Sequence, residues 1–155
     1  MNGSTASERL AALGLALPPV AAPVAAYVPA VRTGNYVYTS GQLPFVDGKL
    51  QGAGKVGDAV APEEAAAFAR TAALNALAAA ASAAGGLDSI ARIVKVTCFV
   101  ASAPGFTGQA QVANGASELL IEVLGDAGRH ARSAVGMAVL PLDSPVEVEL
   151  IAEVG

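Results

Sequence analysis

Arg129-His130-Ala131-Arg132 places two guanidiniums and the chain's single histidine within four residues, in a protein that is only 14% charged. The run that follows, Ser133 to Leu140, is almost wholly apolar and predicts a buried strand. Charge at the mouth of a core strand costs free energy unless a partner offsets its desolvation. The usual offsets are a carboxylate of the same chain or an anionic ligand. The planar fork of Arg132 suits a bidentate grip on a small carboxylate, with an intrachain or surface ion pair as the plainer alternative. His130 is either structural or, as the one imidazole, a proton carrier near neutral pH.

A second group lies near the C-terminus. Val146-Glu147-Val148-Glu149-Leu150 alternates, so Glu147 and Glu149 face one side of the last strand. They either form a solvated face that protects a sheet edge, or one of them reaches a pocket and orients a water. Ser40-Gly41-Gln42 closes a strand at a glycine, leaving backbone N–H and C=O groups that suit a polar ligand. Ser40 has no matching His–Asp pair, so a serine hydrolase is a poor reading. The Gly52–Asp58 loop is not a phosphate-binding loop, because Lys55 lacks a following Ser or Thr; it reads as a surface loop.

The elements that position these groups follow from spacing. Ser4 to Leu13 predicts a short helix capped by Ser4 or Ser7, and Gly14 ends it. Leu15 to Pro29 holds Pro18, Pro19, Pro23 and Pro29 and should be extended. Tyr27–Arg32 and Asn35–Ser40 predict a hairpin about Thr33-Gly34, and Asp47-Gly48 predicts another turn. Pro62 opens a helix that runs to about Ala84 and stops at Gly85-Gly86. Ile90–Ala101 predicts a strand, Val112–Leu124 a second helix, and Ser133–Leu140 and Val146–Val154 the last two strands. The order is ββαβαββ, an α+β fold with two helices on one face of a sheet.

Bulk composition narrows the function. The 155 residues suit one domain over 1–155, with residues 1–23 forming an N-terminal helix and Pro-rich arm. The chain is 54% hydrophobic but only 5% aromatic, and alanine buries little area per residue. A core this thin points to an oligomer. Nine basic against thirteen acidic residues, net −4, give no strong nucleic-acid footprint. Lone Cys98 allows no internal disulfide and fits a reducing compartment, hence the cytoplasm. One His and one Cys far apart are not a zinc set, so no metal is expected. Glu8 and Arg9 come too early for a signal peptide, and Arg70, Asn75 and Ser82 interrupt the longest alanine run, so no membrane association is expected.

Taken in order, Tyr27-Val28, Thr39-Ser40-Gly41-Gln42-Leu43-Pro44, Val94–Val100, Ala131-Arg132-Ser133-Ala134-Val135, Leu140-Pro141 and Val146–Ala152 resemble the RidA/YjgF family of reactive-intermediate deaminases, formerly grouped as endoribonuclease L-PSP. The resemblance runs from about residue 24 to the C-terminus. It implies a fold similar to chorismate mutase and a homotrimer with clefts between subunits. It implies hydrolysis of 2-imino or enamine carboxylic acids to 2-keto acids and ammonia, with no cofactor and no metal. Arg132 would then pair with the carboxylate of a small metabolite and Glu147 would position the attacking water. Tyr27, Ser40, Gly41, Asn114 and Ala134 are the expected substrate-binding residues. The sequence departs from the family pattern at His130, where Pro is common, and at Ala134, where Cys is common. A trimeric carboxylate-binding protein without turnover therefore stays open beside the enzyme.

Overall fold

The computed structural model describes residues 3–20 and 26–155. Of the Pro-rich arm, Pro23 and its neighbours at 21–25 lie outside the described residues, as do residues 1–2. In chain order the elements are α1 (Ala6–Ala12), β1 (Ala30–Thr33), β2 (Tyr36–Thr39), β3 (Phe45–Val46), β4 (Lys49–Leu50), α2 (Pro62–Ala84), β5 (Ile90–Ala101), α3 (Gln109–Leu124), β6 (Ala131–Met137) and β7 (Val146–Val154). The main sheet runs β1-β2-β7-β5-β6, and β3-β4 is a small separate hairpin. All pairs in the main sheet are antiparallel except β5 with β6, which α3 joins by a crossover.

Alternation decides which face is packed. Along β7, Val146, Val148, Leu150, Ala152 and Val154 are buried and the residues between them are half-buried. The buried set continues sideways through Val37 on β2 and Val96, Cys98 and Val100 on β5. Helices α2 and α3 pack on this face, as the ββαβαββ order predicts. The other face carries Tyr36 and Tyr38, Thr97 and Phe99, Val135 and Met137, and Ile151 beside Glu147 and Glu149. No described element covers it, and Tyr38 and Val135 stay 47% and 40% exposed.

Small side chains set the helix layer. The buried stripe of α2 is alanine apart from Leu77. Pro62 starts the helix, the Glu64 carboxylate accepts from the Ala61 N–H at 3.3 Å, and Gly85 in the left-handed region (φ 91°) ends it. Gly115 of α3 sits so close to α2 that a Cβ there would run into the Ala66 carbonyl. The two helices therefore meet almost backbone to backbone. Helix α1 straps the end of this layer: the Arg9 Nε–H donates to the Val123 carbonyl at 2.7 Å and the Ser7 N–H to Asp88 at 2.9 Å.

Several boundaries differ from the sequence expectation. Thr5, not Ser4 or Ser7, caps α1, in a reciprocal pairing with Glu8. Helix α3 starts at Gln109 rather than Val112, because polar residues fill its first turn. Strand β6 spans Ala131–Met137 rather than Ser133–Leu140: its partner β5 supplies ladder positions only from Lys95 to Ala101. Strand β1 begins at Ala30 rather than Tyr27. The Asp47-Gly48 turn closes strands of two residues each, too short to show a period. Among the described residues no helix is long and apolar enough to cross a membrane.

The backbone-to-backbone crossing makes Gly115 a stability determinant. Gly115→Ala should lower stability by about 1–3 kcal/mol, the usual cost of overpacking, despite alanine's better helix propensity. Thermal unfolding checks this, and an unchanged or raised Tm would contradict the crossing.

Candidate active site

Arg132 is the second residue of β6 and lies in register with Val96, so its side chain projects to the helix-covered side of the sheet. There it reaches α3. Its Nη1 donates to Asn114 Oδ1 at 2.8 Å and to Ser117 Oγ at 3.2 Å, and its Nη2 donates to the Ala110 carbonyl at 3.3 Å. Ala110, Asn114 and Ser117 form one stripe of the helix. All three acceptors are neutral. The ion pairs among the described residues, Arg70–Glu122 and Arg129–Asp126, leave Arg132 out. A guanidinium has five N–H donors. Among the described residues, Nε–H and one N–H of Nη2 have no protein acceptor. Arg132 is thus held in place without being neutralised, and the plainer reading of an intrachain ion pair does not hold for it.

His130 explains part of this anchoring. Its Nδ1 lies 2.6 Å from the Gly128 carbonyl, which only an N–H can satisfy. That assigns the proton to Nδ1 and leaves Nε2 to accept from Ser117 Oγ at 2.9 Å. Arg132, Ser117, His130 and Gly128 form one directed chain of hydrogen bonds. Burial lowers the His130 pKa and the Arg132 charge pushes the same way, against the opposing pull of the Gly128 bond. The neutral tautomer that the chain needs is therefore the favoured one, and the geometry supports the structural reading of this histidine. A recess of about 200 Å³ opens beside the chain, lined by Ser117, Ile121, Arg129, His130 and Arg132.

Ala134 lies two residues further along β6, on the same face, half-buried against the core. Directly across the ladder from it is Cys98. The thiol is fully buried, and burial pushes its pKa up to about 12 against a smaller opposing effect of Arg132. It is not a nucleophile at neutral pH.

The remaining predicted residues form a second group. Glu147 of β7 is in register with Phe99 and projects to the uncovered face. The backbone of Gln42 pairs with Val148, which brings Gly41 against the glutamate. A Cβ at Gly41 would lie 2.6 Å from Glu147 Oε1, so only glycine leaves the carboxylate its seat. The Ser40 hydroxyl donates to the Val28 carbonyl at 2.7 Å, next to exposed Tyr27. Burial raises the Glu147 pKa first, and Glu149 on the same face adds to it.

Asn114, Arg132 and Ala134 thus belong together, and so do Ser40, Gly41 and Glu147, with Tyr27 beside them. The two groups do not meet within one chain. Strand β5 separates β6 from β7, and Arg132 and Glu147 point to opposite faces. Sequence order makes these strands successive, but β7 pairs with β5 on the side away from β6. Ser117 is the site residue that the sequence reading passes over. Its only local signal is a place three residues after Asn114 on one helical stripe.

The chain matches the family described as "YjgF/chorismate mutase-like, putative endoribonuclease" over residues 7–154. It is 44% identical to Protein TCP17 of Trypanosoma cruzi over 153 residues, 96% of each chain. Among solved structures it is similar to Atu1372 of Agrobacterium tumefaciens, of unknown function, with a TM-score of 0.90 and 45% identity over 97% of this chain and 92% of that one. It is also similar to E. coli TdcF, solved with bound serine, with a TM-score of 0.64 and 27% identity over 88% of this chain and 94% of that one. Matched along almost its whole length in sequence and in architecture, the chain belongs to the YjgF/chorismate mutase-like family.

Proposed function

We propose that this protein hydrolyses small 2-imino carboxylic acids, or their enamine tautomers, to 2-keto acids and ammonia, in clefts between copies of a homotrimer. The observation that carries this reading is Arg132: a guanidinium fixed by neutral acceptors, with two donors left over. A carboxylate is the natural partner for those donors. The serine bound by TdcF is a small amino acid, and a 2-imino acid shares its carboxylate.

The chemistry asks little of the protein. An imine carbon is already electrophilic, so positioning and charge stabilisation do most of the work. Water attacks C2 and gives a carbinolamine as Glu147 takes the water proton. Glu147 returns that proton to the nitrogen, the carbinolamine hydroxyl gives up its own proton by the same route as the C–N bond breaks, and ammonia leaves a 2-keto acid behind. A carboxylate whose pKa is raised is a stronger base than an exposed one. Two site halves on opposite faces of one sheet favour completion by a second copy, which would also cover Tyr38, Val135, Met137 and Ile151. A binder without turnover is the second reading, favoured by Ala134 at the position of the family's thiol and by the burial of Cys98. An RNA substrate is disfavoured by the net charge of −4.

Generating 2-iminopropanoate in situ with an amino-acid oxidase tests the proposal. The wild type should speed its decay. Arg132→Ala should lose at least about tenfold in kcat/KM, because a hydrogen bond to a charged group is worth about 1.5–3 kcal/mol. No acceleration by wild type across a panel of imines overturns the enzyme, and saturable 2-keto acid binding without turnover selects the binder.

The Glu147 pKa gives a further check. As pH rises from the ordinary glutamate value of 4.5, the unfolded chain loses this proton before the folded one, so ionisation subtracts stability. Glu147→Gln should therefore raise Tm at pH 8, with the gain shrinking towards zero below that value, while turnover falls. A Tm difference that does not vary with pH would contradict the strained carboxylate.

A further inference from the structure

Arg129, Ile121 and the recess itself have no part in the chemistry above. The chain is acidic overall, yet two guanidiniums line this one small recess and no carboxylate does. The carboxylate facing Arg129 is Asp126, 3.3 Å away, with the two side chains 69% and 99% exposed. An ion pair that open is worth little, so a better-placed anion displaces it. Of the two acids on α3, Glu122 is paired with Arg70, and Glu118 is exposed and does not line the recess. His130 offers the recess no donor, because Nδ1 is committed to Gly128 and Nε2 to Ser117. The positive character of the recess therefore comes from Arg129 and Arg132, and Ile121 supplies an apolar wall between polar groups.

We infer that this recess is a subsite for a second anionic group, and that the substrates are 2-imino acids carrying a carboxylate or phosphonate-like group at their far end. The inference rests on the proposed function for the imine and on the recess for the second charge. The α-carboxylate takes the free donors of Arg132. The far anion lies towards Arg129, and the methylenes between them run along Ile121. One anchored and one exposed cation around a small volume favour dianions over monoanions, while a neutral or cationic far end leaves Arg129 with Asp126 alone.

The test uses stable keto acids, so it does not depend on turnover. Pyruvate, 2-oxoglutarate and 3-phosphonopyruvate are titrated into the protein by calorimetry at one ionic strength. At least one dianion should bind about tenfold or more tighter than pyruvate, as one added charge-assisted contact implies. Which dianion gains identifies the far group. In Arg129→Ala the ratio of dianion to pyruvate affinity should collapse towards one, Arg129→Lys should restore part of it, and Asp126→Asn should increase it. Equal affinities for all three acids, or a ratio that survives Arg129→Ala, overturns the subsite. A dianion preference in a protein that hydrolyses no imine leaves the subsite standing and removes the imine reading, so the two failures are distinct.

Discussion

A guanidinium seated between a strand and a helix organises this molecule. Arg132 leaves β6 on the packed side of the sheet and spends three of its donors on Ala110, Asn114 and Ser117. Partial burial of that charge is tolerable because every contact is a hydrogen bond, and it stays available because no contact is anionic. A carboxylate in place of Asn114 would neutralise it, and a bulky apolar residue in place of Ser117 would break the chain to His130. The arrangement requires β6 and α3 to approach closely. Gly128 permits that at the start of the strand, where a Cβ would collide with the Leu120 carbonyl, and Gly115 seats α3 on α2. The packing of small residues is what places the charge.

The same economy appears across the sheet. Helices cover one face with alanine, and the other face is left with tyrosines, valine, methionine and three glutamates, Glu147, Glu149 and Glu153. Glu147 lies on that second face in a seat that only glycine can provide, with its ionised form disfavoured by burial and by Glu149. A group held in an unfavourable ionisation state costs stability unless something uses it. The anchored cation and the carboxylate sit on opposite sides of one sheet, so the proposed reaction needs a second copy of the chain to bring them together.

Much of this was legible from residue order. Alternation in Val146–Leu150 separated the two faces of the last strand, and Pro62 with Gly85-Gly86 bounded the long helix, because those signals are local. Arg132 stood out as a charge beside an apolar run, although that run forms an edge strand with no buried residue rather than the buried strand expected, and Glu147 stood out as one of a pair on one face. The β6 boundaries were not legible, since they depend on where β5 supplies ladder partners. The separation of β6 from β7 was hidden too, because the order in which strands pair around β5 is a matter of topology. The Ser117–His130 bond joins residues 13 apart on different elements, and only the docking of α3 against β6 brings them together. The capping role of Thr5 lay one residue from the expected cap, within the usual uncertainty of helix ends.

The central claim is that Arg132 keeps free donors for a small carboxylate. The Nε–Hε resonance of Arg132, assigned through Arg132→Lys and followed by NMR while pyruvate is added, tests it most directly. A saturable downfield shift at that resonance, absent for the Arg70 side chain already paired with Glu122, is the result the structure predicts. An Arg132 Nε–Hε signal that stays fixed while pyruvate binds elsewhere would contradict it.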